Sequence, residues 1–195
     1  RSEQYLFIAL SSTESSEWRY ADANDPRLDF RAVLPREPHL LYDVEHLGPD
    51  FVLRTNHEAP NFRIVKAPIR TSADKRTWRD VLPHRPDAFL EALEVATKHL
   101  VVNERSGGLL KIRVMPWQGA TGSSPGTLID AREPAYAMHL MGMPGIDSPS
   151  IRYTYSSPVT PRTVYDYDLE SGRSDLKKVD QVPGGFASSN YASEF

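Results

Sequence analysis

Phe30-Arg31-Ala32-Val33-Leu34-Pro35 returns 48 residues later as Trp78-Arg79-Asp80-Val81-Leu82-Pro83, and the register then holds without a gap. Pro38 matches Pro86, Asp43 matches Glu91, Leu53 matches Val101, Arg63 matches Lys111, Ile64 matches Ile112 and Pro68 matches Pro116. A third copy begins in the same frame, because Pro134 lies 48 residues after Pro86. A period of this size means one supersecondary unit repeated along the chain.

The hydrophobic pattern makes that unit all-β. Tyr5–Leu10, Phe51–Leu53, Leu100–Val102 and Ile151–Tyr155 are short apolar or aromatic runs. Each leads through Ser, Asn, Gly or Pro into a second such run: Trp18–Ala21, Phe62–Val65, Leu110–Val114 and Thr163–Tyr167. Runs of this kind bounded by turn residues are hairpins. With one flanking strand on each side they give four antiparallel strands in about 48 residues, the size of a β-propeller blade. The expected fold is therefore a partial propeller of about three and a half to four blades. The blades lie near 1–36, 37–84, 85–132 and 133–182, followed by a linker at 183–195 that contains Pro183, Gly184 and Gly185. Asp87–Ser106 is rich in Ala, Glu and Leu, which favours a helix, but the repeat register requires two strands joined near Thr97-Lys98.

Composition narrows the function classes. The chain has 195 residues, a net charge of −3, 39% hydrophobic residues, 16 Pro, 11 Gly and no cysteine. The charge and the lack of a basic cluster argue against nucleic acid as a partner. Without cysteine there are no disulfides, thiol nucleophiles or thiolate metal ligands, which is compatible with the cytosol. No apolar stretch approaches the ~18 residues that a membrane span needs. The sequence begins with Arg1 rather than Met, and no signal peptide is expected from its first residues.

Four stretches resemble the propeller of oligopeptidase B, in the prolyl oligopeptidase family of serine peptidases. They are Arg54-Thr55-Asn56 with Asn61-Phe62; Leu82-Pro83-His84-Arg85 with Leu90-Glu91, Leu100–Arg105 and Gly108-Leu109; Tyr153-Thr154-Tyr155-Ser156-Ser157 with Thr160-Pro161 and Thr163; and Gln181-Val182-Pro183-Gly184 with Tyr191 and Ser193-Glu194. The Tyr-Ser-Ser…Thr-Pro phrase is the most specific. The resemblance implies a seven-bladed propeller that covers an α/β-hydrolase domain with a Ser-Asp-His triad and admits short peptides cleaved after Arg or Lys. None of the triad is found here, so the expected partner is a catalytic domain of the same polypeptide, missing from this chain, and the chain is expected to be a fragment. No cofactor is implied, and the expected location is the cytoplasm, with the periplasm as the alternative.

Other motifs compete. Gly122-Ser123-Ser124-Pro125-Gly126 fits the G-x-S-x-G nucleophile elbow, which requires a buried strand before the Ser and a helix after it. The flanks Trp117–Thr121 and Thr127–Asp130 supply a loop and a strand start, so a turn between a blade's third and fourth strands is the expectation. His39, His46, His57, His84, His99 and His139 form no i,i+4 pair and have no Cys partner, which leaves metal binding without a motif. Most of them are expected on the surface or in turns. Asp166-Tyr167-Asp168-Leu169-Glu170 lacks the Gly and terminal Glu spacing of a calcium loop. Alternation instead places Tyr165 and Tyr167 on one face of a strand and Asp166 and Asp168 on the other.

The first strand of each blade lines a propeller's channel. The candidates are Leu40–His46, Ala88–Glu94 and Tyr136–Met141, and the repeat puts Asp43, Glu91 and His139 at equivalent positions between apolar neighbours. Either these side chains face the channel and focus cationic peptides, or they cap backbone groups and pair with Arg at blade junctions. Two function classes remain: the substrate-gating half of a serine oligopeptidase, and a propeller that binds a ligand or scaffold partner without peptidase activity. The repeat makes one structural commitment: Tyr5–Leu10, Phe51–Asn56, Leu100–Glu104 and Ile151–Tyr155 are the second strands of successive blades, the leading blade lacking its first strand.

Overall fold

A computed structural model describes residues 2–117, 126–185 and 187–194. The described residues hold fifteen strands and three single-turn 3-10 helices. They divide into two compact units, one made mainly of residues 1–86 and the other of 87–117 with 125–195.

The first unit contains two sheets. β1 (Tyr5–Ser11), β2 (Ser16–Asp22) and β3 (Arg31–Ala32) form an antiparallel three-stranded sheet. β4 (Tyr42–Leu47), β5 (Asp50–Thr55), β6 (Arg63–Pro68) and β7 (Arg79–Leu82) form a four-stranded antiparallel meander. Alternation along β4 buries Tyr42, Val44 and His46 and leaves Asp43, Glu45 and Leu47 partly open. Tyr42 and Val44 join Phe51, Leu53, Val65 and Ala67 in a core against which Phe7, Trp18 and Tyr20 of the first sheet pack.

The second unit repeats the meander twice. β8 (Phe89–Val95), β9 (His99–Ser106), β10 (Leu109–Pro116) and β11 (Thr127–Leu128) are followed by β12 (Ala137–Gly142), β13 (Ser150–Ser156), β14 (Thr163–Asp168) and β15 (Ser174–Val179). All neighbours pair antiparallel except for one parallel bridge, Leu110 to Ala137, that joins β10 to β12. That bridge merges the two meanders into one eight-stranded sheet, and β5, β9 and β13 are the second strands of their meanders, as the repeat requires. The Ala-Glu-Leu segment is two strands, with the break at residues 96–98. Its local helix preference yields because Leu100, Val101, Val102 and Glu104 are completely buried, so both faces of β9 are covered. The β9–β10 turn is tight: Ser106 pairs with Leu109, and Gly107 and Gly108 have φ of 57° and 76°. A two-residue hairpin of this hand needs positive φ at both positions.

The first strand of a sheet presents an edge whose backbone groups need partners. In each unit a buried polar side chain of the preceding sheet supplies them. Ser16 Oγ donates to Tyr42 O at 2.9 Å and accepts from Tyr42 N at 2.7 Å. Trp18 Nε1 also donates to Tyr42 O, and the Tyr42 hydroxyl accepts from Trp18 N and donates to Leu34 O. In the second unit Asn103 Nδ2 donates to Met138 O at 3.1 Å, and Leu140 N donates to Asn103 Oδ1 at 3.2 Å.

A buried ion pair lies behind Asn103. Arg113 on β10 reaches both oxygens of Glu104 on β9, with Nε at 2.9 Å from Oε2, and the side chains are 9% and 0% exposed. Removing one member of a buried pair strands the other charge at a cost of about 3–5 kcal/mol. Glu104→Ala is therefore expected to lower stability by about that amount, and Asp43→Ala, whose pair is half exposed, by less than about 1 kcal/mol. Denaturant titrations of the two variants make the comparison.

His46 departs from the surface placement expected of most histidines. It is 4% exposed and lies edge-on to the Tyr5 ring, with centroids 4.8 Å apart. Nε2 is 2.8 Å from the carbonyl of Gly48 and must carry the proton, while Nδ1 is buried without a donor. Burial holds the imidazole's pKa below its usual value, with the Gly48 carbonyl opposing. The neutral ring's contribution is thus fully present above the unfolded pKa of about 6.5 and declines as pH falls below it. The thermal midpoint is expected to drop between about pH 6.5 and 5, and His46→Phe should flatten that limb.

Candidate functional site

Asp43, Glu91 and His139 each lie on the first strand of a sheet, on β4, β8 and β12. Neither carboxylate is bare. Asp43 sits directly across from Arg54, whose Nη2 and Nε are 2.6 and 2.7 Å from Oδ2. The Arg54 guanidinium also lies 4.1 Å over the Phe62 ring. Glu91 occupies the bulge between Leu90 and Ala92, and Arg105 on β9 reaches its Oε1 through Nη2 at 2.7 Å and Nε at 2.7 Å. His139 is exposed and stands opposite Thr154. No hydrogen bond or ion pair joins Glu91 to His139 among the described residues. Both carboxylates therefore pair with an Arg of the second strand, which weakens the field they project and fixes their orientation.

The other candidates have local explanations. Asp166 is held by Arg152 through two contacts of 2.7 and 2.9 Å, with Lys177 at 3.7 Å. Arg152 lowers the Asp166 carboxyl below its usual pKa. Asp168 accepts from Glu170 N, Ser171 N and Ser171 Oγ, which closes the β14–β15 turn. Gly122–Pro125 of the elbow-like motif lie outside the described residues. Gly126, its last member, has φ +66°, and a Cβ there would stand 2.6 Å from Val114 O and collide with Met115 Cγ. Close packing on β10 thus accounts for this glycine without a catalytic role.

One residue escaped the sequence reading. Glu133, before β12, accepts from the Tyr155 hydroxyl at 2.6 Å and from Thr160 Oγ1 at 2.8 Å. Burial opposes the Glu133 charge, but the hydroxyls of Tyr155, Ser157 and Thr160 outweigh it and keep the carboxyl below the usual range. Tyr155 shifts the other way, pushed up first by burial and then by the Glu133 carboxylate. The three hydroxyls belong to the Tyr-Ser-Ser…Thr-Pro phrase, so that phrase is a cage for an anion. The signal was legible as hydroxyls at Tyr155, Ser157 and Thr160, but the carboxylate lies more than twenty residues away in sequence.

The caged loop borders the C-terminal segment. Asp180 N donates to Arg162 O at 3.0 Å, and residues 157–161 with Val179, Val182 and Tyr191 enclose a groove of about 600 Å³. Pro183 and Gly184 form an exposed turn, with φ of 103° at Gly184 and 73° at Gly185.

Comparison with known proteins places this architecture. The model of the prolyl oligopeptidase N-terminal β-propeller domain matches residues 1–180, and the chain belongs to that family. It is 37% identical over its whole length to dipeptidyl aminopeptidase BI of Pseudoxanthomonas mexicana, covering 26% of that protein. All of it superposes on 28% of oligopeptidase B from Leishmania major, with 29% identity and a TM-score of 0.87. For oligopeptidase B from Trypanosoma brucei with covalently bound antipain, in its closed form, 97% of the chain superposes on 28% of the structure, with 29% identity and a TM-score of 0.85. The chain thus spans about a quarter of the length of these relatives.

Val159 N and Thr160 N both donate to Ser157 Oγ, so loop order depends on the hydroxyl network around Glu133. Glu133→Ala is expected to speed hydrogen exchange at the Val159 and Thr160 amides while sparing β9 and β10. In the wild type, the Glu133 contribution is present above the ordinary Glu pKa of about 4.3 and is lost as pH falls through the lower folded value.

Proposed function

We propose that the chain is the substrate-gating propeller segment of an oligopeptidase B-like serine peptidase that cleaves short peptides after Arg or Lys in the cytoplasm. The observation that carries this reading is the superposition of the whole chain on oligopeptidase B at a TM-score of 0.87. Catalysis would come from an α/β-hydrolase domain of the same polypeptide: a Ser attacks the scissile carbonyl, a His takes its proton and an Asp orients the His. The propeller's part is access. Asp43 and Glu91 on first strands would favour basic peptides through a field moderated by Arg54 and Arg105.

A second reading rests on the 37% identity to a dipeptidyl aminopeptidase. Under it the same segment would gate an enzyme that removes dipeptides from free N-termini.

Fluorogenic substrates separate these readings. The 195-residue chain alone is expected to give no turnover. The full-length polypeptide is expected to cleave N-terminally blocked substrates after Arg or Lys and to be silenced by a serine-directed inhibitor. Cleavage restricted to free N-termini selects the dipeptidyl reading, and no peptidase activity selects a binding module. Turnover by the chain alone that disappears in Ser124→Ala would overturn the gating assignment. The Asp43→Asn, Glu91→Gln double variant leaves Arg54 and Arg105 uncompensated, so KM for basic peptides should rise about threefold at low salt, with a smaller change at high salt.

A further inference from the structure

The second unit holds a tyrosine-lined cavity of about 290 Å³, which shares Tyr155 with the Glu133 cage. Tyr153, Tyr155, Tyr165 and Tyr167 form its walls, and Arg132 and Arg173 stand in its lining. β13 and β14 supply two rings each, and Tyr153 pairs with Tyr165 across the ladder. These two rings stack with centroids 5.3 Å apart and planes at 19°. Their orientation is set from behind: the Tyr153 hydroxyl is 3.0 Å from Ser174 Oγ, and that of Tyr155 is bonded to Glu133. Gly172, at φ +72°, contributes no side chain, and a Cβ there would lie 3.3 Å from the Tyr167 hydroxyl. The walls are therefore rigid before any ligand arrives, which removes much of the ordering cost of binding.

The charges are less committed than the rings. Arg132 is exposed and has no ion-pair or hydrogen-bond partner among the described residues. Arg173 is 77% exposed and shares only its Nε with Asp175, at 3.3 Å. Asp130 also lines the cavity and Asp175 holds Arg173, so Arg132 is the guanidinium open to an anion. Flat aromatic faces accept an offset-stacked or edge-on ring, and a guanidinium offers two parallel donors to a carboxylate.

We propose that this cavity is a binding site for a small aromatic carboxylate, with its ring against the Tyr153–Tyr165 pair and its carboxylate on Arg132. The site is independent of peptide cleavage, so its test does not depend on the gating reading. The probe is phenylacetate, titrated calorimetrically into the full-length polypeptide, with benzylamine and cyclohexylacetate as controls. Saturable binding of phenylacetate is expected, weakening as salt is raised and weaker for cyclohexylacetate. Arg132→Gln, a surface substitution, should reduce the affinity about tenfold without changing peptide hydrolysis or the near-UV dichroism. Tyr165→Leu should reduce it as well. No saturable binding, or binding unchanged in Arg132→Gln, overturns the proposal. Preference for benzylamine that disappears in Asp130→Asn also overturns it and identifies a cation box.

Discussion

The fold depends on satisfying the first-strand edges of β4 and β12. A meander of four strands leaves that edge open, and a buried, unpaired peptide group costs as much as a lost hydrogen bond. Here one short polar side chain serves both a carbonyl and an amide of the next sheet: Ser16 for Tyr42, and Asn103 for Met138 and Leu140. Such contacts are directional, whereas apolar burial is not. They set the register at which the two apolar faces meet, so the core of each unit can repeat with different residues. Tyr42, Phe51 and Leu53 fill one core, and Val101, Ile112, Met138 and Tyr153 fill another.

Polar groups inside this framework have different jobs according to burial. The Glu104–Arg113 pair is sealed between strands and acts on stability. The Asp43–Arg54 and Glu91–Arg105 pairs are part-exposed on first strands, where their energy is small and their orientation matters more. Glu133 is intermediate. Its hydroxyl cage orders the 157–161 loop beside the C-terminal segment.

Family membership sets a boundary on the chemistry. The propeller match covers residues 1–180, and the chain accounts for about a quarter of its relatives' length. The tyrosine cavity is different in kind. Everything that builds it lies between residues 129 and 174, within one unit.

The repeat by itself determined that the chain is all-β and where its strands fall, because hydrophobic periodicity and turn residues report the local backbone directly. It correctly overruled the helix-favouring composition of residues 87–106. Alternation along the strand placed Tyr165 and Tyr167 on one face, and both line one cavity. Tertiary structure alone decided the partners. His46 looked like one more surface histidine until Tyr5 and Phe51 enclosed it. For Asp43 and Glu91 the sequence left a channel-facing role and pairing with Arg both open until Arg54 and Arg105 were seen beside them on the second strands, and Glu133 was unremarked until three hydroxyls converged on it. The physical reason is range. A strand's pattern is written in neighbours two residues apart, whereas a charge's environment is set by whichever side chains the folded sheets bring within about 3 Å of it.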